Sequence, residues 1–219
     1  PSFDAVVSGL VFDDVLSLSF VREAGENAGS YQIDLEETEF SNYEVAEITA
    51  ANLVIKKATP VIVIGDADYV YNAKPIVYAA EIGFEVSYQF YFAGSEIDAP
   101  TNAGEYSVVA YFAGNENYNE VYSNEAKVVI NKKFIPITLK KLDFLYNGLG
   151  QVPEYEIGLD VNVSVITIFE GVKMPVEVGE YKFSMVSNDP NYYASTTGTL
   201  KIVEVLYVED TNNSASVSS

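Results

Sequence analysis

The sequence predicts an all-β protein made of tandem β-sandwich domains. Three observations carry that prediction: a motif that returns at a fixed interval, alternating strands behind each copy, and the lack of any stretch with helical spacing. The motif is a turn followed by a strand. It occurs as Asn27-Ala28-Gly29-Ser30-Tyr31-Gln32-Ile33, as Asn102-Ala103-Gly104-Glu105-Tyr106-Ser107-Val108-Val109-Ala110, and as Glu177-Val178-Gly179-Glu180-Tyr181-Lys182-Phe183. Its glycines fall at 29, 104 and 179, so both intervals are 75 residues.

Three further anchors keep the same order, which is the signature of a repeat architecture. Asn-Tyr follows the glycine by 13, 13 and 12 residues, at Asn42-Tyr43, Asn117-Tyr118 and Asn191-Tyr192. A closing strand comes next: Ala51 to Ile55, Ala126 to Ile130, and Thr199 to Ile202. The fourth anchor occurs twice, as Asp68-Tyr69-Val70-Tyr71-Asn72 and Asp143-Phe144-Leu145-Tyr146-Asn147. The implied domains are 1–57, 58–132 and 133–206, with a polar Ser/Asn-rich tail, 207–219, expected to be disordered. The first domain lacks a counterpart of the opening strand from Pro60 to Asn72. Either the chain enters that repeat midway or the repeat is a shorter variant.

Within each repeat the strand logic is direct, because alternate residues of a strand share a face. Tyr106, Val108, Ala110 and Phe112 make one apolar face; Tyr31, Ile33 and Leu35, and Tyr181, Phe183 and Met185, are its counterparts. The closing strands turn Leu53 and Ile55, Val128 and Ile130, and Leu200 and Ile202 inward. Turn signals stand between strands at Asn72-Ala73-Lys74-Pro75, Phe92-Ala93-Gly94-Ser95, Tyr146-Asn147-Gly148 and Asn188-Asp189-Pro190-Asn191. The junctions, Lys56-Lys57-Ala58-Thr59-Pro60 and Asn131-Lys132-Lys133-Phe134-Ile135-Pro136, contain no flexible tract. One closing strand therefore passes almost directly into the next domain, and the expected arrangement is an elongated array with stiff joins.

Composition bounds the function. A chain of 219 residues that is 48% hydrophobic and rich in Tyr and Phe can build two or three packed cores of strands. Its formal net charge of −20 repels nucleic-acid phosphates and anionic membranes, so neither is an expected partner. No apolar run approaches the roughly 18 residues that a membrane-spanning helix needs. Cysteine is absent, so each core must hold without disulfides. The chain begins Pro1-Ser2-Phe3, without an initiating Met or a signal peptide, and is read as a segment of a longer protein.

The anchors together resemble the MBG-type repeats of bacterial surface proteins, within the broad group of bacterial immunoglobulin-like domains. The second copy carries the pattern most fully, in Tyr69-Val70-Tyr71-Asn72, Asn102-Ala103-Gly104-Glu105-Tyr106, Gly114-Asn115-Glu116-Asn117-Tyr118 and Val129-Ile130-Asn131-Lys132-Lys133. The third departs from it, with Glu177-Val178 in place of Asn-Ala and Val203-Glu204 in place of Lys-Lys. The resemblance spans about 200 of the 219 residues. It implies immunoglobulin-like sandwiches in large exported proteins, adhesins among them, and it supplies no catalytic residues.

The residue types agree with that implication. There is no His and no Cys, which excludes Ser-His-Asp and Cys-His nucleophilic sites and zinc sites built on those ligands. Phosphate-cradling glycine loops are absent. Adjacent acids such as Asp13-Asp14 and Glu36-Glu37 come with no pattern that would set them across a cleft. Asp66 and Asp68, beside Gly65 at a junction, are the candidates for a hard cation, and calcium is the one cofactor they could serve.

The repeated tyrosines Tyr31, Tyr106 and Tyr181, behind Gly29, Gly104 and Gly179, resemble the tyrosine corner of immunoglobulin-like sandwiches, whose hydroxyl bonds upstream backbone. Asn42, Asn117 and Asn191 are assigned to turns in which their side chains bond local backbone. Tyr88, Phe90, Tyr91 and Phe92 cluster in the second copy, as core and edge residues or as an exposed binding subset. The expected function is a non-catalytic spacer or stalk of an extracellular bacterial surface protein, a monomer whose partners are its neighbouring repeats. The alternative is an adhesion module that binds a glycan or a host protein through loops or exposed aromatics.

Overall fold

A computed structural model describes residues 2–36, 40–158 and 163–207, so most of the expected tail lies outside the described residues. The described residues form seventeen strands and no helix. They fall into two compact units. One comprises Pro1–Ile64, Ala80–Tyr88 and Val109–Glu125; the other comprises Gly65–Ala79, Gln89–Val108 and Ala126–Ser219. The second copy of the repeat contributes segments to both units.

The first copy builds a three-stranded antiparallel sheet from β1 (Phe20–Arg22), β2 (Gly29–Leu35) and β3 (Ala51–Ile55), in that order. Tyr31 stands opposite Leu53, and Phe20 opposite Leu35. Alternation places Phe20, Tyr31, Ile33, Leu35, Leu53 and Ile55 half-buried on one face, while Gln32, Asp34, Asn52 and Val54 are exposed. No described residue before Pro60 is fully buried. Among the described residues β3 is bonded only to β2, so its other edge is open.

The second copy forms β4 (Ala67–Val70), β5 (Ser87–Phe92), β6 (Ser95–Ile97), β7 (Gly104–Phe112), β8 (Val121–Tyr122) and β9 (Ala126–Asn131). Their sheet has the order β4-β9-β7-β5-β6, with β8 added to β7. The parallel β4–β9 pair covers the edge that is open on β3, with Tyr69 opposite Ile130. Val108, Ala110 and Phe112 are buried at alternate positions of β7, and Val128 and Ile130 at alternate positions of β9. Before β4, Ile62 and Ile64 are buried between exposed Val61 and Val63, although the segment is in no ladder. A side chain takes the ladder's place there: Asn124 Oδ1 accepts from Ile64 N–H (2.8 Å), and Asn124 Nδ2 donates to Ile64 O (2.9 Å).

The third copy is the most regular. Its strands are β10 (Lys133–Phe134), β11 (Ile137–Lys141), β12 (Asp143–Leu145), β13 (Glu154–Ile157), β14 (Val165–Phe169), β15 (Gly179–Ser187), β16 (Tyr192–Tyr193) and β17 (Ser195–Val203). A four-stranded sheet of order β12-β17-β15-β14 packs against the β11–β13 pair to make a β-sandwich. Its core is Phe169, Phe183, Met185, Leu200 and Ile202, with Ile137 and Leu139 of the facing pair packed on it. A smaller cluster of Ile135, Val163 and Ala194 closes one end.

The β5–β6 hairpin turns through Ala93 and Gly94, both left-handed (φ 49° and 80°). This is the conformation of a two-residue primed turn, which glycine adopts freely and alanine does not. Ala93 is exposed, so its side chain offers no packing in return. Replacing Ala93 with Gly is therefore expected to stabilise the fold by about 0.5–1 kcal/mol, seen as a higher urea midpoint at unchanged slope.

Candidate interaction site at the joints between repeats

The anchor turn is braced in the same way in all three copies. Tyr31 Oη donates to Asn27 O (2.8 Å), Tyr106 Oη to Asn102 O (2.9 Å) and Tyr181 Oη to Glu177 O (2.8 Å). In each copy the ring folds back over the glycine between, most tightly in the second. A Cβ built on Gly104 would lie 3.2 Å from Tyr106 Oη and 3.3 Å from the ring. In the first copy Arg22, the chain's one arginine, adds to the brace. It donates to Gly25 O and to Glu26 Oε1, and its guanidinium lies 5.3 Å from the Tyr31 ring centroid.

The Asn-Tyr anchors then join one copy to the next. Asn117 Oδ1 accepts from Ala28 N–H (2.8 Å), and Asn117 Nδ2 donates to Asn27 Oδ1 (2.9 Å). The arrangement is rebuilt one period later. Asn191 Oδ1 accepts from Ala103 N–H (2.8 Å), and Asn191 Nδ2 donates to Asn102 Oδ1 (3.1 Å). Each joint lies wholly inside one of the two compact units.

Two further contacts recur at each joint. Ala58 N–H donates to Asn117 O (2.9 Å), and Lys133 N–H donates to Asn191 O (2.9 Å). These bonds extend into short parallel pairings, Ala58 with Tyr118, and Lys133 and Phe134 with Tyr192 and Tyr193. Lys57 Nζ donates to Asn115 O (2.8 Å), and Lys132 Nζ donates to Asp189 O (3.0 Å). Next to the second joint, Tyr71 meets Tyr192 edge to face at 5.2 Å. The junction residues are thus strand-bonded connectors.

The structure changes the role assigned to the asparagines. Asn117 and Asn191 do not satisfy their own loops. Asn115 Oδ1 does so in one copy, accepting from Asn117 N–H (2.9 Å) and Tyr118 N–H (3.0 Å). Asp189 Oδ1 does so in the other, accepting from Asn191 N–H (2.7 Å) and Tyr192 N–H (3.1 Å). With the local amides already bonded, the asparagine side chain is left to reach across 88 to 90 residues of sequence. Gly114 permits the first of these loops. Its φ is +78°, and a Cβ there would lie 2.9 Å from the backbone of Tyr118 and of Glu120.

Asn42 differs from its two counterparts. It is exposed in the turn at Ser41–Asn42, and its side chain meets no partner among the described residues. Its neighbour Tyr43 is held instead, donating to Asp14 Oδ2 (2.6 Å), and that bond raises the Tyr43 pKa. Similarly, beside the first joint Tyr111 donates to Glu120 Oε2 (2.8 Å), which raises the Tyr111 pKa.

The other candidates are dispersed. Asp66 Oδ1 accepts from Lys127 N–H (2.7 Å), which places this carboxylate at the start of β9, while Asp68 stands exposed on β4. No group of three or more acids converges among the described residues. In the aromatic cluster Phe90 is buried, Tyr88 Oη accepts from Ala80 N–H (3.0 Å), and Tyr91 donates to Gln89 Oε1 (3.2 Å). Phe92 alone of the four is more than half exposed, 5.4 Å from the Tyr106 ring. Sequence reasoning missed the roles of Asn27, Asn102, Lys57 and Lys132 at the joints, though each recurs at the 75-residue period.

Comparison with known proteins agrees with this repeated unit. A family model described as "MBG domain (YGX type)" matches residues 1–54, and one described as "MBG domain" matches residues 136–205. These two segments are MBG domains. No curated protein sequence matches the chain. Among solved structures, the crystal structure of Drosophila N-cadherin EC1-4 is similar at 10% identity and a TM-score of 0.24, over 80% of this chain and 58% of that one. Asn191-Tyr192, inside the second matched segment, and Asn102-Ala103-Gly104, between the two matched segments, are the two faces of one joint.

Replacing Asn117 with Ala leaves Ala28 N–H and the Asn27 side chain unbonded. The expected loss is about 1–2 kcal/mol in the unit that holds the first joint, with faster hydrogen exchange at Ala28. Tyr31→Phe removes the bond to the carbonyl of the same Asn27. In a double-mutant cycle the two changes are expected to couple by at least about 0.5 kcal/mol, since both act on one residue; strict additivity would contradict the shared brace.

Proposed function

We propose that the chain is a non-catalytic spacer of an exported bacterial surface protein, in which tandem MBG repeats hold another domain away from the cell. The observation that carries this reading is the joint, built twice from equivalent residues at one sequence period. A binding or catalytic protein needs one distinctive site, whereas a spacer needs the same connection repeated. The repeats taken as domains are 1–57, 58–132 and 133–206, acting within a monomer whose partners are its own neighbours. The acidic surface favours solubility of a long exposed array.

The second reading is adhesion. It draws on Phe92, more than half exposed beside Tyr106 at the β5–β6 hairpin, an apolar group placed where a glycan or a host protein could stack on it.

A replacement experiment separates the two. The segment is exchanged, in its parent protein on the cell, for an unrelated spacer of equal length. Retained activity of the distal domain is the expected result. If the exchange abolishes attachment to host surfaces, and the isolated chain binds a glycan or host-protein array in a manner lost on Phe92→Ala, the adhesion reading replaces the spacer.

A further inference from the structure

The third copy carries the receiving half of a joint with no partner loop on it among the described residues. Ladder register identifies the equivalent positions: Gly29 pairs with Ile55, Gly104 with Ile130 and Gly179 with Ile202. Counting three residues on from each isoleucine gives Ala58, Lys133 and Val205. The first two donate their N–H groups to the Asn carbonyl of the next copy. Val205 is exposed, and its N–H has no partner among the described residues. In the turn, Val178 occupies the place of Ala28 and Ala103. Its N–H too is without a partner among the described residues, and its side chain is 47% exposed.

We propose that Glu177–Gly179 together with Val205–Tyr207 forms a docking surface for the Asn-Tyr loop of another MBG repeat. The chemistry of the two occupied joints fits it. Tyr181 braces the Glu177 carbonyl as Tyr31 and Tyr106 brace theirs, so the turn has the shape of a receiver. Val178 N–H supplies the donor for an incoming Asn Oδ1. Glu177 stands where Asn27 and Asn102 offer Oδ1; a carboxylate is a pure acceptor, so it receives an incoming Asn Nδ2 with a stronger, charge-assisted bond. Val205 N–H takes the loop carbonyl. One contact is lost, because Glu204 replaces Lys57 and Lys132 and donates nothing to the loop. Leu206 and Tyr207, both largely exposed, continue the segment that pairs in parallel with the incoming loop at the other joints.

The inference rests on the spacer reading, and the test keeps the two apart. The chain is extended by repeating Val61–Ser219 directly after Tyr207, which sets the added copy in register with the third turn. Only the first 207 residues are isotope-labelled, by segmental ligation. Hydrogen exchange at the Val178 and Val205 amides is expected to slow at least about fivefold relative to the unextended chain. Asn117→Ala in the added copy is expected to restore fast exchange at Val178 while leaving Val205 slow. A second extension, repeating Pro136–Ser219 after Tyr207, offers Asn191 in place of Asn117 should the first added copy not fold. Unchanged exchange at Val178 in both extended chains overturns the proposal. In the same spectra Ala28 and Ala103 report the two existing joints: if they also exchange freely the joint and the spacer reading fall together, and if they are slow only the third receiver falls.

Discussion

Both joints of this chain depend on one residue being held from two sides. Asn27 and Asn102 each accept at the carbonyl from a tyrosine of their own strand, and at the side chain from an asparagine of the next copy. The following N–H goes to that same asparagine. The corner of one copy is therefore also the seat of the next copy's Asn-Tyr loop. An amide side chain suits this contact, because its Oδ1 accepts from the backbone N–H while its Nδ2, a separate atom, donates to the other side chain's oxygen. An ionised aspartate has no proton to donate.

No ion pair crosses either joint among the described residues, although the protein is strongly acidic. A chain at −20 could have been tied together by cations, or split by self-repulsion. Apart from Arg22–Glu26 at the first corner, the ion pairs among the described residues stand on strand surfaces, as in Lys127–Glu105 and Lys201–Glu180, where each is screened and contributes about 0–1 kcal/mol. What crosses from copy to copy is amide to amide and backbone to backbone, with a lysine reaching only a carbonyl oxygen. Such contacts carry little dependence on salt. That independence lets the surface stay acidic without loosening the connections.

The strand faces and the turn were legible in the sequence because both are local. Alternation along Tyr106, Val108, Ala110 and Phe112 needs only a period of two, and the recurrence of Gly104 and Tyr106 marks the corner directly. The joint was only half legible. Periodicity shows that Asn117 and Asn191 matter, but a period does not say whether a side chain serves its own loop or a turn some 88 to 90 residues away. Asn115 and Asp189 decide it by occupying the local amides first. The Ile62–Ile64 segment hid for a related reason: its buried face reads as a strand, but Asn124 bonds it through a side chain, and no pairing rule looks for that.

The three copies are unequally self-sufficient, and the joint compensates. The third closes a core of five buried residues between two sheets, with a parallel strand covering the edge of β17. The first has an apolar face that is half-buried throughout, and β3 has an open edge. Its corner carries more bracing than the others, with Arg22 across the Tyr31 ring and Asn117 bonded to the turn from outside. Little of the hydrophobic driving force that fixes the third copy is available to the first, so fixed polar contacts set a larger share of its geometry. The second copy receives the same asparagine contact on a core that buries Val108, Ala110 and Val128 fully, so the equivalent bonds are a larger share of what fixes the first copy.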